Sequence, residues 1–260
     1  MQQRSGTGRR ALLGAVCGLV LLLALWQAAC ASGMFNSYVL PSPAAVLRAA
    51  RRMFATGEIF EDILISLTRV LRGFGIAFVL AFLLGAFYLL FPRAGSLYQY
   101  LVHFFRFVPP LSLIPLLILW CGIHETTKTA IIVLASFFPI YLSIIKGFSS
   151  VDARLLEVGR AFGYSARASF WRITLPAALS DVLVGMRTGF GYAWRAIIGA
   201  EMVAASTGLG HMILFAQQTS HTDKVLVGVF VIGVVGLLCD RLFALAVRTL
   251  FRGFTASGWD

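Results

Sequence analysis

The chain has 260 residues, of which 59% are hydrophobic and 13% are charged, against about 25% charged residues in an ordinary soluble domain. Too little polar surface remains to solvate a soluble fold, so we predict a membrane protein. The net charge of +11 does not indicate nucleic-acid binding, because the basic residues mostly flank apolar runs, as membrane topology signals do.

The first apolar run covers residues 11–30 and follows a basic leader. About 20 apolar residues suffice to cross a bilayer, so we expect an uncleaved span; a cleaved signal peptide is the alternative. In residues 31–65, apolar and charged residues recur at roughly helical spacing. This pattern predicts a surface-lying or connecting helical segment.

The second and third spans are predicted at residues 67–91 and 101–121. The second contains Gly73, Gly75 and Gly85, and small residues in a span let neighbouring helices approach closely. The third is interrupted by Pro109 and Pro110. Consecutive prolines remove backbone donors, which is tolerated in lipid only where protein or a water-filled cavity satisfies the freed carbonyls. The break either faces a pathway or is a plain packing kink.

Three further spans are predicted at residues 129–147, 177–204 and 224–250, with a polar loop at 205–223. Six spans place both termini on one side of the membrane. If that side is the cytoplasm, the inside segments hold eleven basic residues and the outside segments five. The positive-inside rule therefore predicts cytoplasmic termini and a multi-pass protein of the cell (inner) membrane.

Residues 151–176 are the only long interior stretch too polar to cross a bilayer. They contain Glu157-Val158-Gly159, then Gly163, then Ile173-Thr174-Leu175-Pro176. This spacing resembles the EAA loop of bacterial ABC importer permeases: Glu-Ala-Ala, a glycine six residues after the glutamate, and Ile-x-Leu-Pro ten residues beyond. Val158 and Gly159 replace the two alanines of the pattern, and Gly159 is expected to weaken the helix by up to about 1 kcal/mol.

The resemblance extends over most of the chain, through LPSPAAVL at 40–47, FFRFVPPLSLIPLLILWCGI at 104–123 and AEMVAASTGLGHMI at 200–213. These segments are similar to the branch that imports aliphatic sulfonates, taurine or nitrate. The resemblance implies an all-α integral-membrane fold of the type I ABC importer permease, with about six transmembrane helices and a cytoplasmic coupling helix. The expected parts are residues 1–60 (tail, first span and outer connection), 61–250 (permease core) and 251–260 (cytoplasmic tail).

The resemblance also implies the partners. We expect two copies of a cytoplasmic ABC ATPase, a second permease copy forming a homodimer, an extracytoplasmic solute-binding protein and membrane lipid. ATP and Mg are expected on the ATPase, so no cofactor is expected in this chain. Residues expected to couple to the ATPase are Glu157, Gly159, Arg160, Ala161, Phe162, Gly163, Leu175 and Pro176.

Polar residues within spans are costly and are functional candidates by default. Arg187, Arg195 and Glu201 lie in the fifth span. An arginine facing the pathway suits an anionic solute, although Arg195 could equally pair with a carboxylate to hold the bundle. The predicted pathway-lining residues are Arg187, Arg195, Glu201, Pro109 and Pro110.

No phosphate-binding G-x-x-x-x-G-K-[ST] loop, G-x-G-x-x-G or H-E-x-x-H motif occurs in the sequence, so we predict no catalytic residues and no metal site. Permeases for other solutes (a thiamine-precursor pyrimidine, phosphonate or methionine) remain alternatives. A secondary transporter is a less favoured one, because inverted repeats and mid-membrane coupling acids are not evident. A third alternative is a membrane-anchored assembly protein.

Overall fold

The computed structural model describes residues 4–34 and 36–250, and within these ranges it contains helices and connecting turns but no strand. The all-α prediction is therefore confirmed, while the predicted tail 251–260 lies outside the described residues. The helices are α1 (Arg4–Ala31), α2 (Pro43–Thr56), α3 (Glu58–Leu90), α4 (Pro92–Arg106), α5 (Ile114–Cys121), α6 (Glu125–Ser149), α7 (Ala153–Ala161), α8 (Ala166–Ser169), α9 (Leu175–Ala204), α10 (Leu209–Gln218) and α11 (Thr222–Leu250). A 3-10 turn covers Pro110–Leu113 and a π-helical turn covers Phe170–Thr174.

Three of the described helices, α3, α6 and α11, are each long and apolar enough to cross a membrane. The number rises to five if two bent helix pairs are each counted as one span. The first predicted span corresponds to α1, whose described apolar part is the shorter stretch Val20–Ala31. The count of six spans remains a prediction.

The prolines predicted to interrupt the third span do so. Leu97–Arg106 and Pro110–Cys121 meet at 92°, and the 3-10 turn begins at Pro110. Because neither Pro109 nor Pro110 has an amide hydrogen, α4 cannot continue its hydrogen-bond ladder through them.

The polar loop predicted at 205–223 is wrong, because α10 (Leu209–Gln218) lies within it. Its buried residues follow helical spacing, at positions i, i+3, i+4 and i+7. They are Leu209, Met212, Ile213 and Ala216. The flanking serine, threonine and glycine residues obscured this short periodic run.

The chain forms two compact units, residues 1–60 with 212–231, and residues 61–211 with 232–260. The second unit contains α6, α9 and most of α3. Gly73 and Gly85 of α3 lie against Ile132 and Ile144 of α6, where an added Cβ would come within 2.6 and 2.9 Å. This confirms the expected close approach for these two glycines, whereas Gly75 has no atom within 4 Å.

Candidate functional site

The polar stretch 151–176 forms two short helices joined by a tight turn. Asp152 caps α7 by accepting a hydrogen bond from the backbone amide of Arg154 at 2.9 Å. The turn that follows α7 places Gly163 at φ 75°, a backbone conformation that glycine adopts without a steric penalty. Ser165 then caps α8 through the amide of Ala168. The local sequence thus specifies both ends of the turn.

Gly159 lies on the packed face of α7 and is buried. An added Cβ would lie 2.6 Å from Cδ1 of Ile173, so the missing side chain lets the π-helical turn approach α7. The guanidinium of Arg172 stacks on the ring of Tyr164 at 5.3 Å and closes the same turn. The lower helix propensity of glycine is therefore accompanied by tighter packing, and α7 is held firmly against the next element.

The exit from the turn is continuous helix, because α8, the π-helical turn and α9 follow one another without a break. Pro176 stands in the first turn of α9 and cannot donate a backbone hydrogen bond. The π-helical turn at 170–174 directly precedes it, as expected where a helix absorbs a local irregularity. Leu175 and Pro176 therefore begin α9 directly after α8 and the π-helical turn, and the stacked rings of Phe148 and Phe170 join the same segment to α6.

The rest of α7 is mostly exposed and includes several apolar side chains. Leu155, Val158 and Phe162 are all exposed, Phe162 by 76%, and Ala161 is exposed beside them. The charged side chains of Glu157 and Arg160 are also exposed. An apolar ridge with charges beside it is the composition of a protein-docking surface.

Helices α6 and α9 pack against each other through small residues. An added Cβ on Gly147 of α6 would lie 2.7 Å from the carbonyl oxygen of Ala178, and one on Gly189 of α9 would lie 3.1 Å from that of Ser136. Glycines allow this backbone approach, as in other tightly packed membrane helices. At the α7 end of the pair, Lys146 forms an ion pair with Asp181 at 2.8 Å. Close backbone packing and this ion pair therefore hold α6 and α9 together.

The opposite end of the α6–α9 pair holds a buried polar cluster around Glu201, whose side chain is 0% exposed. The carboxylate accepts hydrogen bonds from Ser66 Oγ (2.8 and 2.9 Å), Arg69 Nη1 (2.8 Å) and the amide of Gly210 (3.0 Å). Glu201 was predicted to line a pathway. That role stays a prediction; in the structure the buried carboxylate joins α3 and α9 to the start of α10.

Arg69 extends this cluster to α6. Its Nε and Nη2 atoms donate to the two carboxylate oxygens of Glu125 at 2.9 and 2.8 Å, and Nη1 also donates to the carbonyl of Thr207. Lys128 donates to the same carboxylate at 2.6 Å. A buried charge is tolerated where it is paired and fully hydrogen-bonded, and this arrangement meets that condition for Arg69.

Gly208 completes the cluster through its backbone. It adopts φ 105°, and a Cβ added there would lie 2.4 to 2.6 Å from the carboxylate group of Glu201. Its amide donates to Asp62 of α3 at 2.8 Å. Glycine is needed here for both conformation and space, which the sequence alone did not indicate.

One face of α9 remains uncovered. Val184, Thr188, Tyr192 and Arg195 are all exposed, at spacings of four, four and three residues that place them on one side of the helix. Arg195 donates from Nε to the carbonyl of its own Gly191 at 2.9 Å, and its guanidinium lies 4.7 Å above the ring of Tyr192. Within the described part of the chain, no carboxylate pairs with Arg195.

The other predicted pathway residues lie elsewhere. Arg187 forms a two-point ion pair with Asp240 of α11 at 2.7 Å, which ties α9 to α11. Pro109 and Pro110 lie at the bend before α5, and the neighbouring Leu111 packs on Gly199, about one helical turn from Arg195. The structure therefore brings the proline bend and Arg195 to the same part of α9, and separates both from Arg187.

The sequence profile of the family described as "Binding-protein-dependent transport system inner membrane component" matches residues 65–252. The chain belongs to this family. It is thus a multi-pass membrane protein and a permease subunit of an ABC transporter, as its sequence motifs predicted.

Permeases named for aliphatic sulfonates, taurine and nitrate are similar to this chain over most of their length. An aliphatic sulfonates transport permease of Bacillus subtilis is 34% identical, with 96% of this chain and 89% of that protein covered. The taurine transport system permease of Escherichia coli is 31% identical, with 91% of this chain and 86% of that protein covered. The nitrate import permease of Synechocystis is 29% identical, with 87% of this chain and 84% of that protein covered. These similarities confirm the predicted branch.

The fold is also found in a crystal structure of an amino acid ABC transporter with histidines. The TM-score is 0.65 at 13% identity, over 76% of this permease and 97% of that chain. At this identity the match shows the shared fold, which confirms the predicted type I permease architecture.

Proposed function

We propose that the permease forms the membrane pathway of an ATP-driven importer for a small oxyanion-bearing solute of the sulfonate, taurine or nitrate kind. It works with a second permease copy, two ATPase subunits that bind ATP and Mg, and an extracytoplasmic solute-binding protein. The named relatives support this solute class, because a sulfonate and a nitrate both present negatively charged oxygens. The basic residues around the inside segments support cytoplasmic termini and a cytoplasmic α7.

The exposed guanidinium of Arg195 is the observation that supports an anionic solute. A guanidinium exposed within a transmembrane helix must meet water, a partner group or a solute, because bare lipid is a costly environment for it. Its Nε is occupied by a backbone carbonyl, which leaves Nη1 and Nη2 to bind the oxygens of an anion. Tyr192 on the same face supplies a hydroxyl group, whereas the hydroxyl of Thr188 donates to the carbonyl of Val184 at 2.9 Å. The guanidinium and the Tyr192 hydroxyl therefore suit this face of α9 to an oxyanion.

The coupling step is assigned to α7. Its exposed apolar side chains dock on the ATPase, and its buried face is fixed to the π-helical turn through Gly159 and Ile173. ATP-driven closure of the two ATPases moves α7, and the closely packed α6 and α9 move with it. The uncovered face of α9 thereby changes its accessibility from the inside to the outside, where the binding protein delivers the solute. No covalent step takes place in this chain.

The solute assignment is tested by uptake into proteoliposomes that contain the permease, its ATPase and its binding protein. The panel comprises an alkanesulfonate, taurine, nitrate, a phosphonate, methionine and a pyrimidine. We expect uptake of an oxyanion, lowered at least tenfold in Arg195→Gln and less in Arg195→Lys. Arg72→Gln, at an exposed arginine of α3, is the control and should behave as wild type. Wild-type uptake by Arg195→Gln would contradict the pathway assignment.

The coupling assignment is tested separately with Phe162→Asp, which places a charge on the exposed ridge. We expect the variant to insert normally but to lose co-purification with the ATPase and solute-stimulated ATP hydrolysis. Tyr38→Asp serves as a control, since Tyr38 is also a strongly exposed aromatic residue and lies outside α7. Retained co-purification and stimulation in Phe162→Asp would refute docking through this ridge.

A further inference from the structure

Helix α2 has three distinct faces. One face is packed in the protein through Ala49 and Met53. A second is apolar yet exposed, with Leu47 and Phe54 on one side of the helix. The third is basic, exposed and spaced i, i+3, i+4. It consists of Arg48, Arg51 and Arg52.

The surroundings of α2 place it at the membrane–water boundary. The indole of Trp26, near the end of the apolar part of α1, donates to the carbonyl of Pro41 just before α2 at 3.1 Å. Tryptophan is enriched at this boundary because its ring is apolar and its N–H is polar. At the other end, Arg52 lies 3.9 Å from Asp223 in the first turn of the apolar helix α11. An amphipathic helix at this level lies in the interface.

The basic face forms one wall of an open cavity of about 670 Å³. Three guanidinium groups line it against a single carboxylate, that of Asp223, and Arg52 itself is 74% exposed. The cavity therefore carries excess positive charge, and arginine binds phosphate oxygens through paired N–H donors. The apolar face adjoins the basic one, and the exposed ring of Phe60 extends it by an edge-to-face contact with Phe54 at 5.5 Å.

We propose that α2 binds the headgroup phosphate of an anionic phospholipid, with Arg48 and Arg51 on the phosphate and Leu47 and Phe54 against the start of the acyl chains. An anion that carries its own apolar tail matches both exposed faces at once. A free inorganic anion would match the basic face alone. The site shares no residue with the proposed solute pathway or with α7, so it does not depend on the transport assignment.

The test measures lipid retention by the full-length permease in nanodiscs of phosphatidylcholine with or without phosphatidylglycerol. Native mass spectrometry counts the retained lipids for wild type, Arg48→Gln/Arg51→Gln, and the matched control Arg72→Gln/Arg241→Gln. The test variant leaves the Arg52–Asp223 pair in place. We expect wild type and control to retain phosphatidylglycerol selectively, and the test variant to lose about tenfold in this selectivity. Equal retention by test variant and wild type would overturn the proposal.

Two further arms separate the possible sources of the anion. Leu47→Ser/Phe54→Ser should weaken phosphatidylglycerol retention while keeping both arginines, and unchanged retention would reject the acyl contact. Inorganic phosphate should not displace the bound lipid; effective displacement would indicate a free-anion site instead. If Arg48→Gln/Arg51→Gln weakens binding of the solute-binding protein in pure phosphatidylcholine but leaves lipid retention unchanged, the face is a protein-docking surface and the lipid assignment fails.

Discussion

Replacing Gly208 by alanine should destabilise the permease through the carboxylate of Glu201. The new Cβ would sit 2.4 to 2.6 Å from that group, at a backbone φ of 105°, so the carboxylate must move away from its donors. The backbone strain contributes about 1 kcal/mol or more. Weakening a charged hydrogen bond to Arg69 adds about 1.5–3 kcal/mol. We expect a total loss of about 2.5–4 kcal/mol, because Arg69 keeps both bonds to Glu125 and is not left unpaired.

The free energy of unfolding is measured by denaturant titration in mixed micelles. Gly57→Ala is the control for strain alone, because Gly57 has φ 80° and no atom within 4 Å of an added Cβ. It should lose only about 1 kcal/mol. Glu201→Gln should lose a comparable amount to Gly208→Ala, and the double variant should lose clearly less than the sum, since both act on one carboxylate. Equal losses in Gly208→Ala and Gly57→Ala, or strict additivity, would refute the reasoning.

The remaining predictions concern other contacts in the helix bundle. Gly185→Val should prevent folding, seen as loss of monodisperse protein, because even an added Cβ would come within 2.2 Å of α6; a well-folded variant would show that α6 and α9 can separate. Gly159→Ala should change the free energy of unfolding by no more than about 1 kcal/mol. The higher helix propensity of alanine offsets the cost of moving the flexible end of the Ile173 side chain. A loss above about 2 kcal/mol would show that this contact is rigid. Arg187→Ala should lower the free energy of unfolding by about 1–3 kcal/mol, and adding Asp240→Asn should restore part of this loss in the same titration. A double variant no more stable than Arg187→Ala would show that the unpaired Asp240 is not the cause of the loss.

The coupling segment was largely predictable from sequence because its geometry is local. Gly163 is needed for the turn and Asp152 for the helix cap, and both act on residues within two or three positions. The motif therefore forms two short helices joined by a tight turn, and its coupling to an ATPase stays a prediction. The packing of Ile173 on Gly159 could not be predicted in the same way, because it depends on how the chain returns across the turn.

The fifth span was predicted less completely. Its charged residues were visible, but their roles differ: Glu201 is buried, Arg187 is paired with Asp240, and Arg195 is exposed. The side-chain partners of Arg187 and Glu201 lie 53 to 135 residues away in sequence, and no periodicity within one helix identifies them. The small helix α10 was missed because polar and glycine residues surround its short apolar repeat.

Composition, apolar runs and the 151–176 motif by themselves determined the membrane setting, the helical class and the family, because these depend on length, hydropathy and local spacing. Only the tertiary structure decided which polar residues hold the bundle and which face outward. That choice depends on which helices lie side by side. Ser66 and Arg69 bind Glu201, and Glu125 binds Arg69, because α3, α6 and α9 meet at one end. Arg195 is left exposed because no helix of the described chain covers its face.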